Sequence, residues 1–244
     1  MQLRLDQLPA HLSKGAGALK PVYTLYGDEP LLAQEAGDAI RAAARAAGYT
    51  ERQVHTVSGA HFDWSGLLGA ASEMSLFGDK QIIEIRIPSG KPGKDGSQAL
   101  QQYCTAAQGN DGLLTLVTLP RLDKTQLNSA WFTALDGTGL TLRCDPIERA
   151  QLPLWIAQRL SAQGQQVEPG EAGQRTLAFF ADRVEGNLLA AAQEVDKLAL
   201  LVGTGRGAAA QAIDEAQMEQ LVADSSRFDV FKLVDAALAG DAPR

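Results

Sequence analysis

Leu76 and Phe77, preceded by Met74 and Ser75, are the residues of this chain best suited to bind something. Their chemistry would be insertion into an apolar pocket rather than bond making. The residues upstream have helical spacing, with Phe62 at N′, Asp63 as N-cap and an apolar stripe at Trp64, Leu67, Leu68, Ala71 and Met74. Phe62 and Leu67 would close a hydrophobic staple across that start. At roughly 100° per residue, Leu76 and Phe77 fall off the stripe. Gly78-Asp79-Lys80 then breaks the pattern before Gln81 to Ile87, which reads as a strand. Two readings stay open: ordinary core in a helix-to-strand connection, or a plug for another protein's pocket.

Other chemistry is hard to assemble. Cys104 and Cys144 lack metal-ligand spacing, and His11, His55 and His61 are too scattered to complete a zinc site, so no metal or other cofactor is expected. A nucleophilic cysteine would need a His or carboxylate partner, and no pairing is legible. The turn Tyr26-Gly27-Asp28-Glu29-Pro30-Leu31-Leu32 sits where a phosphate-binding loop could be. It lacks the Gly-Lys-Ser/Thr that such a loop needs, Asp28 and Glu29 would repel a triphosphate, and Pro30 removes an N–H donor. The pairs Gly90-Lys91 and Gly93-Lys94 are expected in a loop, and the strand Leu113 to Leu119 runs into Pro120-Arg121 without the acids that hold magnesium. No catalytic residue is expected.

A net charge of −7 argues against a chain whose main task is gripping the phosphate backbone. Lys80, Arg86, Lys91 and Lys94 form a local basic stretch, expected as a solvated edge strand and a Gly/Pro-rich loop from Pro88 to Gly96. At 244 residues and 45% hydrophobic content the chain is long enough for about two domains. No apolar run approaches the ~18 residues of a membrane span and the start has no signal-peptide core, so the expected compartment is the cytoplasm.

The elements that would position these residues alternate at first. Strands are predicted at Pro21 to Tyr26, Gln53 to Val57, Gln81 to Ile87, Leu113 to Leu119 and Leu140 to Cys144. Helices are predicted at Leu31 to Ala47, closed by Gly48, then Asp63 to Met74, Ser97 to Ala107 and Lys124 to Leu135. In the first of these, Leu32, Ala36, Ala39, Ile40, Ala43 and Ala47 are expected to face inward. This order predicts an α/β domain with a mostly parallel sheet flanked by helices. After Cys144 the strands are expected to stop. Helices follow at Glu148 to Gln163, Gly173 to Arg183 and from an Asn187 N-cap through Leu188, Ala191, Val195, Leu198 and Val202, ended by Gly203 to Gly207. Asp214 with Gln217 suggests a capping box for a helix to Ala223, and Phe228 to Leu238 a last one. The expected division is 1–144 α/β, 145–225 a small all-α lid-type domain, and 226–244 a helix leading onward.

Several stretches carry a family resemblance. Leu25 to Leu32, Met74 to Phe77, Asn128 to Leu135, Ala150 to Trp155, Glu185 to Ala190 and Phe231 to Gly240 resemble the delta subunits of bacterial DNA polymerase III clamp loaders. The resemblance implies an AAA+ fold without ATPase chemistry, in agreement with the absent phosphate-binding residues. It further implies a non-catalytic subunit of a DNA-directed DNA polymerase, a nucleotidyltransferase holoenzyme, that binds the beta sliding clamp and opens the ring for loading onto primed DNA. By motif match Leu76 and Phe77 would enter the clamp's pocket, with Met74 and Ser75 shaping the approach. Gamma/tau subunits would hydrolyse ATP and delta-prime would complete the assembly. Family members usually continue into a helical collar domain, expected to be missing here, through which those subunits mainly assemble. A weak or indirect DNA contact is compatible with this role. The alternatives are an ATP-hydrolysing clamp-loader motor subunit and a DNA-binding module.

Overall fold

A computed structural model describes residues 1–59, 62–72, 80–184, 186–202 and 212–213. The chain divides into two compact units, Met1–Pro146 and Ile147–Arg244.

In the first unit a two-residue strand β1 (Gln2–Leu3) and a short helix α1 (Leu8–Leu12) lead into β2 (Val22–Tyr26) and α2 (Pro30–Ala46). Then come β3 (Tyr49–Thr56), α3 (Trp64–Ser72), β4 (Lys80–Arg86) and α4 (Gly93–Gln108). The unit closes with β5 (Leu113–Leu119), α5 (Lys124–Leu127), α6 (Ala130–Thr138) and β6 (Leu140–Arg143). The six strands form one sheet in the order β1-β6-β2-β5-β4-β3, with every neighbouring pair parallel. This is the mostly parallel sheet of the AAA+-like fold expected above. The strand β2 that leads to the phosphate-loop position lies at its centre.

Parallel strands covered on both faces carry nearly continuous apolar runs. In β5, Leu113, Leu114, Leu116, Val117 and Leu119 are all buried, as is Thr115. Alternation assigns them to two cores. One face, with Ile83, Ile85, Leu113 and Val117, packs against α3, α4 and α6 through Leu67, Leu100, Tyr103, Trp131 and Leu135. The other, with Tyr23, Leu25, Ile82, Leu114 and Leu116, packs against α1 and α2 through Leu8, Ala36, Ile40 and Ala44. Burying an aliphatic side chain contributes about 1.5 to 3 kcal/mol, so removing any one of these is a large perturbation.

Some expectations are corrected. In α2 the expected Ala36 and Ile40 are buried and Leu32 and Ala47 pack partly buried against the same core, but Ala39 and Ala43 are only half-buried, and Leu31, Gly37 and Ala44 are buried in addition. The predicted helix over Lys124 to Leu135 is two helices. Asp123 and Gln126 make a reciprocal capping box on α5, and extended Ser129 (φ −71°, ψ 154°) restarts the chain as the N-cap of α6. The basic residues Lys80 and Arg86 bound a strand that is interior, between β3 and β5, not an edge. Gly93 and Lys94 lie in the first turn of α4, not in a loop.

The second unit contains α7 (Leu152–Ala162), β7 (Gln166–Val167), α8 (Glu171–Val184), α9 (Leu188–Val202) and β8 (Ala212–Ile213). Helices dominate, but strands do not stop after Cys144, since β7 and β8 pair in parallel. Two residues each is too short for any periodicity to announce. Leu152, Ile156, Leu160, Phe180, Ala191, Val195 and Leu198 are buried. Asn187 Oδ1 accepts from Ala190 N at 2.9 Å, which makes it the N-cap expected for α9. The helices predicted after Asp214 and from Phe228, and the glycine run from Gly203, lie outside the described residues.

Candidate functional site

Two places bear on function: the turn between β2 and α2, where a nucleotide's phosphates would sit in this fold, and the helix α3 that leads to Met74-Ser75-Leu76-Phe77.

At the first, the chain is drawn tightly against β6. Cys144 N donates to Tyr26 O at 2.7 Å, and Glu29 N donates to Cys144 O at 3.0 Å. Gly27 has φ +148°, and a Cβ there would lie 2.0 Å from Cys144 O, so no other residue fits. The first turn of α2 points free N–H groups and the positive end of its dipole at this turn, which is what makes such a helix end attractive to phosphate. Here the chain supplies its own anion. Glu29, only 9% exposed, is the N-cap residue, and its Oε1 accepts from Leu31 N at 3.2 Å. Next to it, Asp28 Oδ1 accepts from Arg121 N at 3.3 Å, and the Asp28 carboxylate lies 3.9 Å from the Arg121 guanidinium. That contact ties the turn to the end of β5. The carboxylates named from sequence as repelling triphosphate therefore also have structural tasks. Glu29's capping role was not legible beforehand, because Glu is not a usual N-cap; Pro30 at N1 was the available signal.

At the second place, Asp63 is the N-cap of α3. Its Oδ1 accepts from Ser65 N and Gly66 N, each at 3.1 Å, and the hydroxyl and backbone bonds of Ser65 and Gly66 hold its carboxyl below the usual range. Phe62 and Trp64 meet edge to face at 4.7 Å between centroids, with Phe62 also against His55 at 6.5 Å. The Trp64 indole occupies a notch in α4 at Gly96, where a Cβ would be 2.3 Å from Cζ2. Leu67 and Ala71 are buried, with Leu68 and Trp64 packed against the same core, as the stripe predicted. Met74, Ser75, Leu76 and Phe77 themselves lie outside the described residues.

The remaining candidates disperse. Lys80 Nζ donates to Ala47 O at 3.3 Å and sits 5.1 Å from the centroid of the Tyr49 ring, while Arg86 bonds Glu84 at 3.2 Å. They stand six residues apart along one strand, about 20 Å. Lys91 and Lys94 are exposed. Burial pushes the Cys104 thiol up to about 11 and the Cys144 thiol to about 12, so neither is a ready nucleophile. Among the described residues no three His, Cys, Asp or Glu side chains are grouped to hold a metal, and no helix is long and apolar enough to cross a membrane.

Sequence reasoning also missed Glu84. It is 2% exposed on β4, and accepts from Arg52 at 2.7 Å, Arg41 at 3.1 Å and Arg86 at 3.2 Å. Burial would raise its pKa, but the three guanidiniums outweigh that and lower it. No local signal marks such a residue, because its partners come from α2, β3 and β4.

Fold and turn together define a class: an AAA+-like domain whose phosphate-loop position is filled by the protein's own carboxylate. The family model described as DNA polymerase III, delta subunit, matches residues 23–145, and the chain belongs to that family. It is 34% identical to DNA polymerase III subunit delta of Escherichia coli (strain K12) over 246 residues, covering 100% of this chain and 66% of that one. It is 28% identical to the subunit of the same name from Haemophilus influenzae (strain ATCC 51907 / DSM 11121 / KW20 / Rd), covering 98% of this chain and 65% of that one. The chain thus spans just under two thirds of the length of these curated relatives. Among solved structures, the Bacillus subtilis DNA clamp loader delta protein superposes with a TM-score of 0.67 at 18% identity, over 95% of this chain and 66% of that one. At that identity the likeness concerns the fold alone.

Proposed function

We propose that this chain binds a ring-shaped beta sliding clamp through Met74, Ser75, Leu76 and Phe77 and favours its opened form, without hydrolysing ATP. Family membership supports the clamp-loader role. The observation that carries the non-hydrolytic part is Glu29 seated on the N-terminus of α2. A bound triphosphate would have to displace that carboxylate and then face Asp28 as well. ATP would act on gamma/tau subunits, with delta-prime completing the loader, and the work would take place in the cytoplasm. This chain is then a non-catalytic part of the polymerase holoenzyme.

The plug has the energy for the task. Full burial of Leu and Phe is worth about 1.5 to 3 kcal/mol each, several kcal/mol before ordering costs. Two side chains of this kind can act as a hot spot. Ring opening then needs no chemistry in this subunit. A partner that fits the clamp better with its interface sprung shifts the equilibrium toward the open ring.

The test is surface plasmon resonance on immobilised clamp with the Leu76→Ala/Phe77→Ala double variant, and circular dichroism as a folding control. Loss of binding with the helix signal retained is expected. Wild-type affinity in that variant would refute the plug, and loss of the helix signal would show the pair to be core.

A further inference from the structure

The two edges of the six-stranded sheet differ in what they offer. β1 is two residues long, whereas β3 is eight, and among the described residues β3 pairs only with β4. Val57 N donates to Arg86 O at 2.8 Å, so alternation turns the main-chain groups of Gln53 and His55 toward β4 and those of Arg52, Val54 and Thr56 outward. Thr50 to Val54 and Thr56 are exposed. A register shift between Tyr49 and Glu51 interrupts the start of the edge, but from Glu51 to Thr56 the pairing with β4 is unbroken. Such an edge is a template for another strand.

One face of that edge is positively charged. Residues paired across parallel strands share a face, which puts Arg52, Val54 and Thr56 on the side of Ile82, Glu84 and Arg86. Glu84 is buried there with Arg41, Arg52 and Arg86 around it. Arg41 also meets Asp38 at 2.7 Å, but Arg52 and Arg86, both half exposed, share Glu84 as their carboxylate partner among the described residues. Arg52 makes its bond through Nε rather than through its terminal nitrogens. Two half-exposed guanidiniums on one carboxylate leave positive charge at the surface. Along the strand between them stands Val54, 44% exposed.

We propose that the β3 edge takes up an extended acidic segment of a partner protein as an added strand. The segment's main chain would pair with Arg52, Val54 and Thr56, and its carboxylates would meet the Arg52 and Arg86 guanidiniums. A peptide answers both features, because the outward main-chain groups need donors as well as acceptors, and a phosphate backbone brings acceptors only. A second copy of this chain fits poorly. Two β3 strands paired antiparallel about Val54 would set Arg52 of each against Thr56 of the other, beside Arg86, like charge against like. The proposal does not depend on clamp binding.

The probe is a fluorescein-labelled peptide with blocked termini, Thr-Glu-Val-Glu-Val-Glu-Thr, compared with its counterpart carrying Gln for every Glu. Binding to the full chain is followed by fluorescence anisotropy, and amide exchange by NMR. The acidic peptide is expected to bind about tenfold or more tighter than its counterpart, to weaken as salt rises, and to slow exchange at the amides of Arg52, Val54 and Thr56. Val54→Pro removes an N–H that points outward, not one bonded to β4, so it should spare the fold and abolish binding. Absent binding, equal affinity for the two peptides, or a bound peptide that leaves those three amides unprotected would overturn the proposal. So would concentration-dependent dimerisation that protects the same amides without peptide, which would assign the edge to a second copy. Displacement of the peptide by an oligothymidylate would assign the surface to nucleic acid and overturn it equally. If Val54→Pro does not fold, amide protection in the wild-type chain decides alone.

Discussion

Single residues decide what the β2–α2 turn can hold. Gly27 is the sharpest case, because a Cβ would collide with Cys144 O in a backbone conformation that L side chains rarely adopt. Gly27→Ala is expected to cost about 2 kcal/mol or more, read as a lower denaturation midpoint at unchanged slope. Glu29→Ala removes the side chain that caps α2 at Leu31 N and should cost about 1 kcal/mol in the same experiment. Glu84 adds a pH dependence. Its carboxyl titrates lower in the folded chain than its ordinary value of 4.5, so the folded state favours the ionised form. That contribution is fully present above 4.5 and is lost as pH falls through the lower folded value. Glu84→Gln should therefore flatten the acid limb of stability against pH. At neutral pH it should cost roughly 2 kcal/mol, below the usual figure for a buried pair because Arg52 and Arg86 are half exposed.

Elements show what a sequence can and cannot announce. β2, β4 and β5 were legible within one residue at either end, because strands buried on both faces leave a nearly continuous apolar run. β3 was caught only from Gln53 onward. It lies at the sheet's edge, and Thr50 to Gln53 are exposed, so its first half has no apolar pattern to read. The Asp63 and Asn187 caps were visible because Asp and Asn at those positions have a mechanism that local sequence carries. The arginines around Glu84 were not, since Arg52 and Arg41 lie 32 and 43 residues away from it. Gly96 belongs with these. It looks like a helix-start glycine, yet its task is to leave room for Trp64. Gly96→Ala is expected to displace the indole and weaken the α3–α4 contact. A drop in thermal stability relieved by adding Trp64→Phe, as a double-mutant cycle, would show the coupling.

At the scale of the molecule, both hydrophobic cores of the first unit are built from residues before Pro146. A fragment ending there is expected to fold and to unfold cooperatively, with coincident circular dichroism and fluorescence transitions. Under the role proposed above, it should also bind the clamp. Nucleotide offers a complementary test. A ligand that binds the native state must raise its stability, so with Glu29 in place neither ATP nor a nonhydrolysable analogue should shift the melting temperature. The mostly parallel sheet flanked by helices could be anticipated because alternating strands and helices permit few arrangements, whereas its AAA+-like character was implied only by the family resemblance. The small β7–β8 pairing could not, being too brief to leave a pattern.

The two thiols of the chain, Cys104 and Cys144, are both buried in the first unit. A thiol-alkylating reagent therefore finds neither while that unit stays closed, and the rate at which label accumulates becomes a clock for its opening.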